Sequence, residues 1–124
     1  MKLLQDCSGN WTGFFVQQQF RGWMKIEMQI DPKTLSGKGR DDDGTFVMRG
    51  SHSPETGAVE IDKIYPNLYV DYHGRWDGEM ISGTWELFDD DSGVFELWPL
   101  DDEEDVRKLS ELAKTMRIPL TQNS

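Results

Sequence analysis

The sequence predicts an all-β fold: an eight-stranded antiparallel up-and-down barrel followed by a C-terminal α-helix. Three observations carry that expectation. Apolar and polar residues alternate with period two along residues 1–100, turn-forming Gly, Pro, Asp and Asn interrupt them at short intervals, and no helical stripe separates the segments. Connections this short allow only antiparallel neighbours, so the chain meanders. A meander of eight strands leaves two bare edges unless the last strand closes on the first, and closure removes both.

The strands fall in order at 10–18, 22–30, 34–40, 44–51, 58–65, 69–76, 79–88 and 93–98. Between them stand FRG, DPK, DDDG, SPETG, PNL, DG and DDDS, all built from residues that turns require. The second strand fixes the inner face, because Met24, Ile26, Met28 and Ile30 alternate with Trp23, Lys25, Glu27 and Gln29. The same test sends inward Leu35, Gly37 and Gly39, then Val59, Ile61, Lys63 and Tyr65, and next Val70 and Tyr72. Ile81, Gly83, Trp85 and Leu87 follow, with Phe95 and Leu97 on the last strand. Phe46-Val47-Met48 is apolar on both faces and leaves strand four ambiguous. Trp23, Trp76 and Trp98 are assigned to the outer wall together with Val47 and Phe88.

The chain of 124 residues reads as one domain, with the barrel in residues 1–100, an amphipathic helix packed on it in 101–118 and a tail in 119–124. Five acidic residues open the helical segment, where they suit a helix N-terminus, and Val106, Leu109, Leu112, Ala113 and Met116 form one stripe at helical spacing. A core of this size needs neither disulfide nor metal, and no cofactor is called for. The single Cys7 and the short apolar start point to a reducing, cytoplasmic setting. A net charge of −10 opposes phosphate backbones and anionic bilayers, and no apolar run approaches the ~20 residues of a membrane helix, so neither nucleic acid nor membrane is an expected partner.

GNWTGFF at the first strand, then LSGKG, FVMRGSHSPETGAV, VDYHG and ISGTWEL, resemble the strand grammar of avidin and streptavidin barrels, and more loosely that of lipocalins and fatty-acid-binding proteins within the calycin superfamily. The likeness spans about residues 9–100. It implies that Trp11, in Gly9-Asn10-Trp11, plugs one end of the barrel and that ligands enter at the other. It does not extend to biotin chemistry: Gly13 and Gln17 stand where the polar groups holding the ureido oxygen belong. The lipocalin pattern fails too, since GVFELWPL has no basic residue to cover the Trp.

Lumen candidates for ligand contact are Gln17, Met24, Met28, Lys63, Tyr65, Tyr72 and Trp85. Lys63 is the unusual member, because an inward lysine must either snorkel to the rim or meet a carboxylate. Inside with Tyr65 and Tyr72, it would supply donors for a ligand carbonyl or anion. Meander geometry puts Asp41 to Asp43 and Asp89 to Asp91 on one rim, where the expectation is solvated turns. An adventitious divalent cation is the alternative, although the spacing is not that of an EF-hand loop. No triad, metal cluster or phosphate loop is spelled out. The expectation is therefore a non-catalytic binding module that holds a small molecule other than biotin in its lumen. The alternative is a protein-interaction or oligomeric scaffold with a filled barrel. The aromatic outer wall favours a homodimer.

Overall fold

Alternation of buried and exposed residues runs through most of the strands, the buried run Trp11-Thr12-Gly13 being the exception, and wraps the sheet around one apolar interior. The computed structural model describes residues 2–88, 91–100 and 118–119. Its strands are β1 (Gly9–Gln17), β2 (Phe20–Ile30), β3 (Thr34–Asp41), β4 (Gly44–His52), β5 (Ala58–Ile64), β6 (Tyr69–Trp76), β7 (Ile81–Leu87), β8 (Asp91–Pro99) and the short β9 (Ile118–Pro119). Neighbours follow chain order from β2 to β8, and β1 pairs with both β8 and β2, so eight strands close into an antiparallel up-and-down barrel.

Strand interiors match the expected parity, and β4 resolves with Phe46 and Met48 buried and Val47 exposed. Boundaries shift in places that matter. β3 runs on to Asp41, β7 begins only at Ile81, and β8 reaches back to Asp91. Phe88 leaves the ladder with φ of 57° and is 80 % exposed.

Connections after β1, β3, β5 and β7 share the upper end of the barrel, and those after β2, β4 and β6 share the lower end. A 3-10 turn, Leu4–Asp6, brings the N-terminal segment beneath the lower end, where Leu4 and Cys7 are buried. Trp11 is 1 % exposed and donates its indole N–H to the Cys7 carbonyl at 2.7 Å. Trp76 departs from its outward assignment. It shares the parity of Val70 and Tyr72, its ring lies 5.9 Å from that of Trp11, and its N–H donates to the Lys2 carbonyl at 2.9 Å.

The inward glycines answer to curvature rather than to empty space. A Cβ at Gly13 would collide with the Glu96 carbonyl of β8, and one at Gly83 with the His73 carbonyl of β6, so both mark places where adjacent strands coil tightly against each other. On the outer wall, Phe14, Trp23 and Trp98 form an edge-to-face triad with centroid distances of 5.5, 6.2 and 6.3 Å. Arg21 lies over the Phe14 ring at 4.4 Å.

Of the helix expected over 101–118, residues 101–117 lie outside the described residues. Ile118 is extended rather than helical and pairs with Arg21, as Pro119 does with Phe20. The physical reason is the proline, which disfavours helical geometry at the residue before it. Residues 120–124 of the expected tail lie outside the described residues.

Candidate functional site

The upper end holds a cavity of about 680 Å³ that opens between the β3–β4 turn and the β5–β6 loop. Its walls are Phe15 and Gln17 of β1, Lys63 of β5, Val70 and Tyr72 of β6, and Trp85 and Leu87 of β7. Asp43 to Thr45 and Tyr65 to Leu68 form the mouth. These side chains converge because period-two alternation points every second residue of four different strands at the same level of the barrel.

Lys63 is the chemical centre. Its side chain is 1 % exposed, and its ammonium meets the Asp41 carboxylate at 2.6 Å, with that carboxylate wholly buried. The Asp41 Oδ2 atom also accepts the Tyr65 hydroxyl at 2.6 Å, while Oδ1 accepts the Asp43 backbone N–H at 2.8 Å. Four rings surround the ammonium: Phe46 at 4.4 Å, Phe15 at 4.6 Å, Tyr65 at 5.2 Å and Tyr72 at 5.6 Å from their centroids. Desolvation of two charges is expensive, and the short geometry, the second donor on Asp41 and the ring faces offset it.

Lys63 also donates to the Tyr72 hydroxyl at 3.4 Å and touches the Met24 sulfur at 3.6 Å. Burial, then the hydroxyl's bond to Asp41 and that residue's charge, push the Tyr65 phenol far above its ordinary range. Tyr72 is pushed the same way by burial first and by the charges of Asp41 and Asp43 second. Both phenols remain protonated donors in the folded protein. The Trp85 indole is committed to the Val16 carbonyl at 3.0 Å, and Gln17 donates to Asp91 at 3.1 Å.

The structure thus brings Gln17, Lys63, Tyr65, Tyr72 and Trp85 to one cavity. Met24 and Met28 do not line it. Both lie on β2 and are buried in the packed core; Met24 reaches only the Lys63 ammonium, and Met28 pairs with Gly9 near the lower end. Asp41 is the residue that sequence reasoning missed. It was expected on a solvated rim, and it faces inward because β3 continues one residue past Arg40, keeping the parity of Leu35, Gly37 and Gly39. That continuation is the signal that finds it. Asp89 and Asp90 lie outside the described residues, and among the described residues no group of His, Cys, Asp and Glu is disposed to hold a metal ion. A larger groove, about 830 Å³, lies across β1 to β5 with Lys25, Lys38, Arg40 and Val47 on its lining.

No family model and no curated protein matches this chain. Among solved structures, it is similar to a de novo designed fluorescence-activating β-barrel, at 19 % identity and a TM-score of 0.54 over 81 % of this chain and 100 % of that one. At that identity the likeness establishes the barrel fold.

Proposed function

We propose that this chain is a non-catalytic small-molecule-binding barrel of avidin-like or lipocalin-like type, with biotin excluded from its ligands. The observation that carries the reading is the cavity of about 680 Å³, a volume typical of small-molecule sites, closed below by the core and open above. A designed barrel of similar fold that activates a fluorophore is consistent with it. Exclusion of biotin rests on Gly13, packed against the β8 backbone, and on Gln17, bonded to Asp91. The lone Cys7, buried in the lower core, suits a reducing cytoplasm.

Thermal denaturation with a panel of neutral aromatic compounds tests the reading. A true ligand at a hundred times its Kd adds about 2.7 kcal/mol of stability. That gain must vanish in Val70→Trp, which fills the cavity; a gain that survives the filling places binding elsewhere. Association through the outer wall is a second reading, favoured by Phe88, Val94 and Val47 at 80, 50 and 45 % exposure. Sedimentation at tens of micromolar decides it, with a two-fold dimer expected and tightened by salt that screens the net charge of −10.

A further inference from the structure

We infer that the cavity selects an uncharged, flat aromatic molecule carrying an acceptor oxygen, which the Tyr72 hydroxyl reads. This rests on the lumen-binding reading above and adds the ligand class to it.

The charges inside are already matched. Asp41 neutralises Lys63, and both oxygens of Asp41 are occupied, by Lys63 and Tyr65 on one side and by the Asp43 backbone on the other. An anion entering this space would have to pull Lys63 away from a 2.6 Å partner and strand a fully buried carboxylate. Asp43 at the mouth adds repulsion. A cation fares no better, because the rings that would face it already surround the lysine ammonium.

A neutral molecule meets no such penalty, and Phe15, Tyr72 and Trp85 give it flat aromatic walls. Thr45 and Asn67 stand at the mouth; of the other polar groups on the lining, Tyr65, Gln17 and Trp85 have spent a donor on Asp41, Asp91 and Val16. Tyr72 differs from them. Its oxygen accepts from Lys63, and among the described residues no acceptor takes its own proton. An acceptor oxygen on the ligand completes that hydroxyl, and a ligand without one leaves it unmatched.

A matched series of dimethylaminonaphthalenes tests this, carrying a propyl ketone, a propyl chain or a carboxylate at the same ring position. Titration should rank the ketone about tenfold tighter than the propyl compound, the upper end of what one buried hydrogen bond gives, with the carboxylate weakest. In Tyr72→Phe the ketone-to-propyl ratio should fall to near one. Equal affinities in the natural protein, or a carboxylate that binds tightest, overturn the inference while leaving lumen binding intact. Failure of all three compounds to bind removes the lumen reading with it. Should Tyr72→Phe not fold, the emission of the bound ketone decides: red-shifted against an aprotic solvent if the hydroxyl donates, unshifted if the inference is wrong.

Discussion

The two ends of this barrel solve the same problem in opposite ways. At the lower end, the N-terminal segment folds under the strands, and Trp11 and Trp76 close the opening with each indole N–H satisfied by a backbone carbonyl. At the upper end no segment among the described residues closes the mouth, and the interior is held by a buried ion pair, two phenols and a ring of aromatic faces. Apolar plugs convert burial directly into stability. A buried ion pair roughly breaks even against its desolvation, and what it gives in return is defined chemistry at one point. The lower end is expected to carry folding energy, and the upper end selectivity.

The sharpest way to break that division is Trp11→Ala. Emptying a fully buried tryptophan site and orphaning the Cys7 carbonyl should lower unfolding free energy by about 4–5 kcal/mol in denaturant titration. If Trp85→Ala, at the upper end, proves costlier, stability is not concentrated below and the comparison fails.

Lys63→Met probes the other end. The variant keeps the aliphatic stem but leaves the Asp41 charge without its partner, with an expected loss of about 3–4 kcal/mol. Adding Asp41→Asn should restore most of it, because the penalty belongs to the uncompensated charge. A single variant that loses less than about 1 kcal/mol would mean that water reaches the pair.

How much of this contrast is legible in the sequence depends on the kind of contact. Alternation in MKIEMQI names the interior of β2, and the same count identifies Lys63, Tyr72 and Trp85 as inward residues. Asp41 was lost because three consecutive aspartates look like a turn, and strand ends depend on cross-strand pairing that composition does not reveal. Its pairing with Lys63 joins β3 to β5, a relation no local pattern encodes. Trp76 has the parity of Val70 and Tyr72, and that parity, followed to the end of β6, sends it inward over Trp11 instead of to the outer wall where the sequence reading puts it. Whether the lumen is filled or open turns on how Phe15 and Trp85 pack edge to face, at 6.4 Å, and rotamers are not written in residue order.

The outer triad provides a reference outside both ends. Trp98 is only partly buried and keeps two edge-to-face contacts, so Trp98→Ala should lose about 2 kcal/mol, clearly less than Trp11→Ala. A loss as large as that of Trp11 would show that the wall, not the lower plug, anchors the barrel.

Base should act on the upper end. Tyr65 and Tyr72 have phenol pKa values raised in the folded state, so their contribution is complete below the unfolded value of about 10 and is lost as pH climbs above it. In that window the unfolded chain releases protons that the folded chain retains. Tyr72 alone should remove about 1.4 kcal/mol per pH unit, visible as a falling denaturation midpoint between about pH 10 and 12. In Tyr72→Phe the slope should be shallower; an unchanged slope would mean that its phenol ionises freely in the folded barrel.

Acid gives the smallest expected effect, and it belongs to the lower end. Asp77 turns the chain from β6 to β7, its Oδ1 accepting the backbone N–H groups of Glu79 and Met80 at 2.8 and 2.9 Å. These bonds favour the carboxylate and lower its pKa below the ordinary value of 3.8. A depressed folded pKa contributes stability that is present above the unfolded value and lost as pH falls through the folded one. The Tm difference between the natural chain and Asp77→Ala should therefore be constant near neutral pH and shrink as pH drops below about 4. Because the turn is exposed, the effect is a modest one, and it should leave ligand affinity at the upper end unchanged. A Tm difference that persists undiminished to about pH 2 would assign the turn's stability to backbone geometry rather than to the charged acceptor.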